Sequence, residues 1–444
     1  MKKHICKILP LSFLLILRNL IFGYFPILDD HIQYSAYSLY TKKYVLFTVG
    51  TIYKRPGAAV FDLFVWQNLG MNVSVICITV MLVLSLFMLK EVFKTANINV
   101  GIFTVVFVLF CPLIFESVYW LSASSRIVTG MFFCTLSLYI IAFANRKTSV
   151  FAFWFFNLLS YLFYEQTLIF SFVTTVFFLV FKNKKLTAIP ILNLILTGGY
   201  YIICAPFDRF SDRAKIGIKI FPHIKSLAEI FFSVLPKMIF KSKYLILSII
   251  IFAVSIFVLH KFRKENQHKN FCAIIYALLI FVCPFAPYFI LKNSYLSIRS
   301  TFFAVTALGI FLDNITLSKR TANAVSALVL SLFLAGSASE FFEYKSVYET
   351  DKTICENIIN SHLVEDNKTY YLIGAKRMYN DINAPFAEHI LNVTQADWSL
   401  TGAVRAYSHN KNVKRIIPVE NESLATQNYE KIYIDGNLEI KKYR

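Results

Sequence analysis

Charged side chains are scarce in this chain, and acidic ones are the scarcer kind. Only 16% of the 444 residues are charged, with 26 Asp or Glu against 45 Lys or Arg, while 57% are hydrophobic. A soluble globular domain carries about 25% charged residues, so the composition excludes that class for most of the chain. The net charge of +19 does not indicate a nucleic-acid partner, because the basic residues are scattered between apolar segments.

The motifs of several common chemistries are also missing. The eight cysteines show no CxxC or Cys/His ligand spacing, so neither a disulfide framework nor a zinc site is expected. There is no Walker motif, Gly-rich phosphate loop or nucleophile elbow, which leaves ATP-driven pumping and serine hydrolysis without support. We expect no cofactor, although the sequence leaves a divalent metal open.

Long apolar segments fill residues 1–340. About 20 apolar residues span a bilayer as a helix, and the pattern predicts an α-helical polytopic membrane protein with eleven transmembrane helices. The expected spans are 8–28, 71–89, 100–117, 127–144, 149–163, 167–181, 187–206, 243–260, 271–291, 300–317 and 321–340.

The charges between these segments predict the orientation. Every inner connection carries Lys or Arg. The basic residues of the three short outer connections are Arg126, Lys292 and Arg299 alone. Cytoplasmic connections are the basic ones in membrane proteins, so we expect a cytoplasmic N-terminus. An odd number of spans then places the C-terminus on the opposite side.

Three polar regions remain, namely the outer loops 29–70 and 207–242 and the tail 341–444. The first loop is expected to contain interfacial helices. Its apolar residues recur at helical spacing over 32–44, Arg55–Gly57 breaks this pattern, and a second amphipathic piece follows over 58–69. The tail predicts a small α/β domain with a helix over 344–364 and strands over 369–373, 413–419 and 431–434.

The adjacent carboxylates Asp29 and Asp30 are the strongest candidates for catalytic residues. They follow the first span directly, and two carboxylates beside a low-dielectric region raise each other's proton affinity. This suits one of them to act as a general base. The alternative interpretation is an ordinary hydrophilic helix stop.

Other charged residues at the same face are candidates for binding a substrate or phosphate. A guanidinium suits bidentate phosphate binding, and a carboxylate in a very short turn at the membrane face needs an ion pair or a polar ligand. Structural pairing and contact with lipid headgroups are the alternatives. The candidates are Arg55, Glu116, Arg126, Glu165, Arg209, Arg213 and Arg299.

The layout resembles the GT-C membrane glycosyltransferases, and most specifically bacterial serotype-converting O-antigen glucosyltransferases. The residues that carry the resemblance are Asp29–Asp30, Arg55–Pro56, Tyr164–Glu165, Arg299 and the exit from the last span, Glu340 to Asp351. Many GT-C enzymes space the two acidic residues by one position. They are adjacent here, so either could be the base.

The resemblance implies a multi-pass protein of the bacterial inner membrane with a periplasmic C-terminus. It implies transfer of a sugar, expected to be glucose, from a polyprenyl-phosphate donor to a lipid-linked polysaccharide, the O-antigen. Membrane lipids are the other expected partners. An O-antigen polymerase and a flippase or transporter of lipid-linked sugars are the alternatives. A polymerase would depend on arginines of the outer loops rather than on the acidic pair.

Overall fold

The computed structural model of the protein describes residues 2–144, 147–210, 217–262, 269–291, 294–376 and 386–442. For residues 2–10, 147, 208–210 and 258–262 it gives the backbone only.

Helices make up most of the described chain. The first half contains α1 (Lys2–Phe22), α2 (Asp29–Gln33), α3 (Lys42–Val45), α4 (Pro56–Phe61), α5 (Gln67–Leu69), α6 (Met71–Lys94), α7 (Ile102–Phe110), α8 (Phe115–Tyr119), α9 (Leu121–Phe143), α10 (Lys147–Tyr161), α11 (Glu165–Lys182) and α12 (Ala188–Cys204). The second half contains α13 (Ile220–Glu229), α14 (Leu235–Phe240), α15 (Leu245–Phe262), α16 (Phe271–Val282), α17 (Ala286–Ile290), α18 (Phe302–Asp313), α19 (Lys319–Asn360) and α20 (Asp397–Ser408).

The long apolar helices are compatible with a multi-pass membrane protein, and the expected count of eleven spans is not confirmed. Among the described residues, six helices are long and apolar enough to cross a membrane, or eight if two bent pairs each form one span. The six are Met71–Lys94, Leu121–Phe143, Glu165–Lys182, Lys184–Phe207, Phe271–Ile290 and Lys319–Asn360. The bent pairs are Ile102–Phe110 with Pro112–Tyr119, at 55°, and Ile220–Phe240 with Leu245–Phe257, at 92°.

Three of the boundaries that differ from the sequence prediction lie around the site. The first helix ends at Phe22, because Gly23 adopts a positive φ of 71° that terminates a helix. The helix that starts at Ile102 breaks at Cys111, since Pro112 lacks the N–H that would continue it. Residues 118–126, expected as an outer connection, are buried and mostly helical, and α9 begins at Leu121.

Helices α7 and α18 pack closely at one end of the bundle. A Cβ at Gly309 of α18 would lie 2.6 Å from Cα of Thr104, so this glycine allows α7 and α18 to touch. At the same end, Asp313 accepts hydrogen bonds from the N–H groups of Gly101 (2.8 Å) and Thr104 (2.9 Å). These contacts cap the N-terminus of α7 and fix the end of the bundle opposite to the acidic pair.

The first loop is helical, but in shorter pieces than expected over residues 32–44. Helix α2 ends at Gln33, and residues 34–41 form turns before α3 begins at Lys42. The hydroxyl of Ser38 bonds to the carbonyl oxygens of Ile32 and Tyr40, which competes with helical hydrogen bonding. After a break at Arg55 the chain is helical from Pro56 to Leu69, with a π-helical turn at Asp62–Trp66.

The tail forms a small α/β unit attached to α19, a helix of 42 residues. The last expected span, 321–340, and the expected tail helix, 344–364, are therefore parts of one continuous helix, which ends at Asn360. Its strands are β1 (Thr369–Ile373), β2 (Arg415–Val419), β3 (Glu430–Ile434) and β4 (Ile440–Lys441), in the order β2-β1-β3-β4. The first three are parallel and β4 is antiparallel. The strands at 369–373, 415–419 and 430–434 confirm the sequence prediction, whereas α20 was not predicted.

Candidate functional site

Asp30 lies at the centre of a buried polar network where the first loop meets α9. Its Oδ2 accepts hydrogen bonds from the hydroxyl of Tyr24 and the N–H of Ile27 (3.2 Å). Its Oδ1 accepts from the N–H (3.1 Å) and the hydroxyl (2.8 Å) of Ser122. The side chain is fully buried, so these four donors fix the carboxylate and hold α2 against the start of α9.

The two carboxylates of the pair lie in different environments. Burial raises the pKa of Asp30 to about 7 although its hydrogen bonds oppose the shift, and the charge of Asp29 adds a smaller increase. Asp29 itself is partly exposed. Of the two, Asp29 is therefore the carboxylate that a bound molecule can reach without a change in the fold.

Arg126 fastens the first loop to α9. Its guanidinium lies 3.2 Å from Oδ2 of Asp62 and 3.1 Å from the side-chain oxygen of Gln33, and it also bonds to the carbonyl of Ser122. The hydroxyl of Tyr34 donates to the other oxygen of Asp62 at 3.0 Å. Because Arg126 and Asp62 are both buried, this ion pair positions the loop, and Arg126 lies in the helix, not in the expected outer turn.

Arg55 and Glu165 form a two-pronged ion pair at the surface of the bundle. Nε and Nη2 of Arg55 donate to Glu165 at 2.9–3.2 Å, and the guanidinium stacks 4.5 Å from the ring centre of Tyr164. The loop is held there because the N–H of Gly57 donates to the carbonyl of Leu162 at 3.0 Å. The sequence left either an ion pair or a substrate contact open for Glu165, and the structure shows the pair.

Arg299 lies next to this pair. It forms a 3.0 Å ion pair with Glu388 of the tail and lies 5.1 Å above the ring of Trp120. Arg299 and Arg55 are close enough for their charges to interact. The hydroxyls of Tyr164 and Tyr288 are 3.2 Å apart and connect the surroundings of the two arginines.

Glu116 is buried beneath Arg299 and binds the tail. Its Oε1 accepts hydrogen bonds from the N–H groups of Glu388 (2.6 Å) and His389 (2.9 Å) and lies 2.9 Å from Nδ1 of His389. On its other side, Nε2 of His389 is 3.0 Å from Oε2 of Glu340. Burial alone would lower the pKa of His389, but Glu116 and Glu340 outweigh it and raise it to about 10.

Six of the nine residues proposed from the sequence therefore belong to one cluster, which is joined by hydrogen bonds, ion pairs and ring contacts, with Asp29 at its edge. The hydroxyls of Tyr24 and Tyr344, 3.3 Å apart, link the Asp30 region to Glu116 and His389. The six are Asp30, Arg55, Glu116, Arg126, Glu165 and Arg299. The side chain of Arg209 and all of Arg213 lie outside the described residues.

Sequence reasoning missed His389 and Glu340 as site residues. His389 is a single histidine in a polar tail, and nothing in its neighbours in the sequence indicates that it packs against Glu116, which is 273 residues away. Glu340 appeared only as the beginning of the exit from the last span.

An aromatic cavity opens between the first loop and the tail. Its volume is about 400 Å³, and its walls include His31, Tyr34, Tyr37, Tyr348, Tyr407 and His409. The rings of Tyr37 and His409 stack with centres 4.7 Å apart. His31 belongs to α2, the short helix that also carries the acidic pair, so this helix provides both the candidate base and part of the cavity wall.

No family model, curated protein or solved structure matches this chain. The residues of the site are therefore the basis for a functional proposal.

Proposed function

We propose that the protein is a membrane glycosyltransferase of the GT-C type. It transfers a sugar from a polyprenyl-phosphate donor to a lipid-linked polysaccharide on the periplasmic side of a bacterial inner membrane. The observation that carries the proposal is that a partly exposed carboxylate, two neighbouring guanidinium groups and an aromatic cavity all lie at the same end of an apolar helical bundle.

Each part has a role in a single displacement. Asp29 takes the proton from an acceptor hydroxyl, whose oxygen forms a bond to the anomeric carbon of the donor sugar. The bond between this carbon and the phosphate oxygen breaks, and the lipid phosphate leaves with the electron pair. The product then has the inverted anomeric configuration.

Arg55 and Arg299 stabilise the charge that develops on the departing phosphate. A guanidinium has five N–H donors, and Arg55 uses its Nε and Nη2 for Glu165, which leaves the Nη1 edge for phosphate oxygens. Fixed donors aimed at a developing charge lower the barrier without reorganising. Glu165 and Glu388 keep the two arginines in place while the lipid donor enters laterally between helices.

The aromatic cavity suits the acceptor. Sugar rings present C–H faces that pack on aromatic rings and hydroxyls that need polar partners, and small-molecule sites are mostly apolar with a few polar groups. Tyr37 and His409 offer stacked rings, while His31 and Gln67 offer polar atoms. Asp30 acts as a positioning residue, because its buried hydrogen bonds fix the backbone that presents Asp29.

The test uses the purified full chain in lipid nanodiscs with a radiolabelled polyprenyl-phosphate glucose and lipid-linked O-antigen. Asp29→Asn should lower the transfer rate about 100-fold or more, the usual contribution of a general base. Asp366→Asn, on the exposed surface of the tail, should keep full activity.

Two results would contradict the proposal. Transfer by Asp29→Asn at the rate of the unchanged chain excludes this carboxylate as the base, and retained anomeric configuration in the product excludes a single displacement. Elongation of the polysaccharide without side-branch addition supports a polymerase, and binding of the lipid sugar without a glycosidic product supports a transporter.

A further inference from the structure

Two glutamates of the last long helix and one histidine of the tail form a compact set of metal-ligating atoms. Glu340 and Glu343 lie one turn apart on α19, and His389 approaches them from the tail. One ligand atom from each residue lies within 4.8 Å of the others. Glu340 and His389 are buried and Glu343 is partly buried.

The imidazole nitrogen that faces Glu340 is in an unusual position for a hydrogen bond. Nε2 of His389 is 3.0 Å from Oε2 of Glu340, yet it is buried and makes no hydrogen bond with acceptable geometry. Two atoms that bind one Zn²⁺ at about 2.1 Å are about 3.4 Å apart at the tetrahedral angle, so this pair needs to open by only about 0.4 Å to hold the ion. The spacing of this pair therefore suits two ligands of a shared ion.

The other side of the imidazole has the support that metal-ligating histidines usually have. Such a histidine typically donates its second ring N–H to a carboxylate, which fixes the ring and its tautomer. Nδ1 of His389 lies 2.9 Å from Oε1 of Glu116, and this oxygen also accepts the N–H of His389 itself. Nε2 is thereby aimed at Glu340 and Glu343.

The charge of the set also favours a cation. Three carboxylates, those of Glu116, Glu340 and Glu343, lie around the imidazole of His389. Negatively charged oxygens and a neutral imidazole nitrogen are ligands that divalent cations bind in proteins.

We propose that Glu340, Glu343 and His389 bind one divalent cation of the Zn²⁺ class. One imidazole nitrogen with two carboxylate oxygens suits Zn²⁺ better than Ca²⁺ or Mg²⁺, which prefer oxygen ligands alone. The ion joins the tail to α19 at the position where Tyr344 contacts the Asp30 network. The proposal is independent of the proposed sugar transfer, because the ion is assigned to assembly of the site.

The test measures metal content directly. The purified full chain, with its cysteines alkylated, is stripped with a chelator, incubated with ZnCl₂, desalted and subjected to elemental analysis. One zinc per chain is expected, and His389→Gln and Glu340→Gln should retain less than a tenth of it. Glu349→Gln, an exposed glutamate on the same helix, should bind zinc as the unchanged chain does.

A substitution at a buried residue can prevent folding, so two further measurements are made, one on Glu343→Gln and one on the unchanged chain. Glu343→Gln, at a partly buried position, should elute normally on size exclusion and bind zinc at least tenfold more weakly. In the unchanged chain, zinc should raise the melting temperature, because a ligand that binds only the folded state stabilises it. If the unchanged chain retains no zinc, or if His389→Gln retains a full equivalent, the site does not exist and His389 forms only ion pairs.

Discussion

Asp29 and Asp30 are adjacent in the sequence but lie in different surroundings, which decides what each carboxylate can do. Asp30 is fully buried among four hydrogen-bond donors, so a substrate cannot reach it unless the loop moves. Asp29 is partly exposed beside it. A substitution at Asp30 should therefore act on folding and on the position of the loop, whereas one at Asp29 should act on chemistry.

The raised pKa of Asp30 predicts how its contribution to stability depends on pH. Its folded-state pKa of about 7 exceeds the ordinary 3.8, so the folded chain holds a proton between these values that the unfolded chain has released. This contribution is present below about pH 4 and is lost as the pH rises through 7, with a slope of up to about 1.4 kcal/mol per pH unit. Asp30→Asn should remove it.

The measurement is the apparent melting temperature of both chains in detergent at pH 5 and pH 8. The unchanged chain should lose more stability over this interval than Asp30→Asn. Three residues interact with Asp30, namely Asp29, Tyr24 and Tyr344. They are present in both chains, so their own contributions to the pH dependence largely cancel when the two chains are compared. Parallel pH profiles would show that Asp30 does not titrate in this range.

The Arg55–Glu165 pair allows a second prediction that separates stability from activity. A double-mutant cycle with Arg55→Gln and Glu165→Gln should give a coupling of about 1–3 kcal/mol, since contacting residues in one network couple by this amount. The same cycle on the exposed pair Lys345–Glu349 should give less than about 0.5 kcal/mol.

Activity should not follow stability at these two positions. If Arg55 also holds the donor phosphate, Arg55→Gln should lower transfer by at least tenfold more than Glu165→Gln at equal stability. Equal losses of activity would show that Arg55 only supports the fold.

At the scale of elements, the contact between α2 and α20 determines where the acidic pair lies. Gly402 is in the middle of α20, and a Cβ at this position would overlap Cγ2 of Ile32 in α2. Replacing a helical glycine by alanine usually stabilises a helix by about 1 kcal/mol. Here the steric overlap should reverse the sign, so Gly402→Ala should lower the melting temperature and the transfer rate.

Two further variants test this explanation. Gly198→Ala in α12, where a Cβ would meet nothing within 4 Å, should leave the melting temperature unchanged or raise it. In a chain that already carries Ile32→Ala, Gly402→Ala should cost less stability than it does in the unchanged chain, because the overlapping methyl group is absent. If Gly402→Ala is as stable as the unchanged chain, the tail does not pack closely on α2.

Periodicity predicted the existence of the helices better than their ends. Apolar runs indicated a helix in every expected span, because burial of apolar surface acts over the whole segment. The end of α1 depends on the backbone of one residue, Gly23. The break at Cys111 could have been expected from Pro112. The burial of 118–126 could not, since Ser122 and Arg126 are compensated by distant partners such as Asp30 and Asp62.

At the scale of the whole molecule, the sequence placed Asp29, Arg55, Glu165 and Arg299 at one face because the ends of alternate spans share a side. The sequence could not predict which side chains contact each other within that face. The contact between Glu116 and His389, for example, depends on how the tail folds back on the bundle. Long-range partners depend on tertiary packing, and the local pattern of apolar residues contains no information about it.

The structure finally makes a prediction about topology that does not depend on the number of spans. The first loop contacts the tail through α2 and α20, so both lie on the same side of the membrane. Helix α11 starts at Glu165 in the site and runs 18 residues to Lys182, about 27 Å at 1.5 Å per residue, so Lys184 lies on the other side. The exposed Cys272 is replaced by alanine before single cysteines are introduced.

Lys43→Cys in the first loop and Ser423→Cys in the tail, both at exposed positions, should react with a membrane-impermeant maleimide in cells whose inner membrane is intact. Lys184→Cys should react only after permeabilisation. If Lys43→Cys and Ser423→Cys react from opposite sides, the contact between loop and tail is wrong. If both react only from the cytoplasmic side, the fold survives but the proposed transfer does not, since a periplasmic acceptor could not reach Asp29.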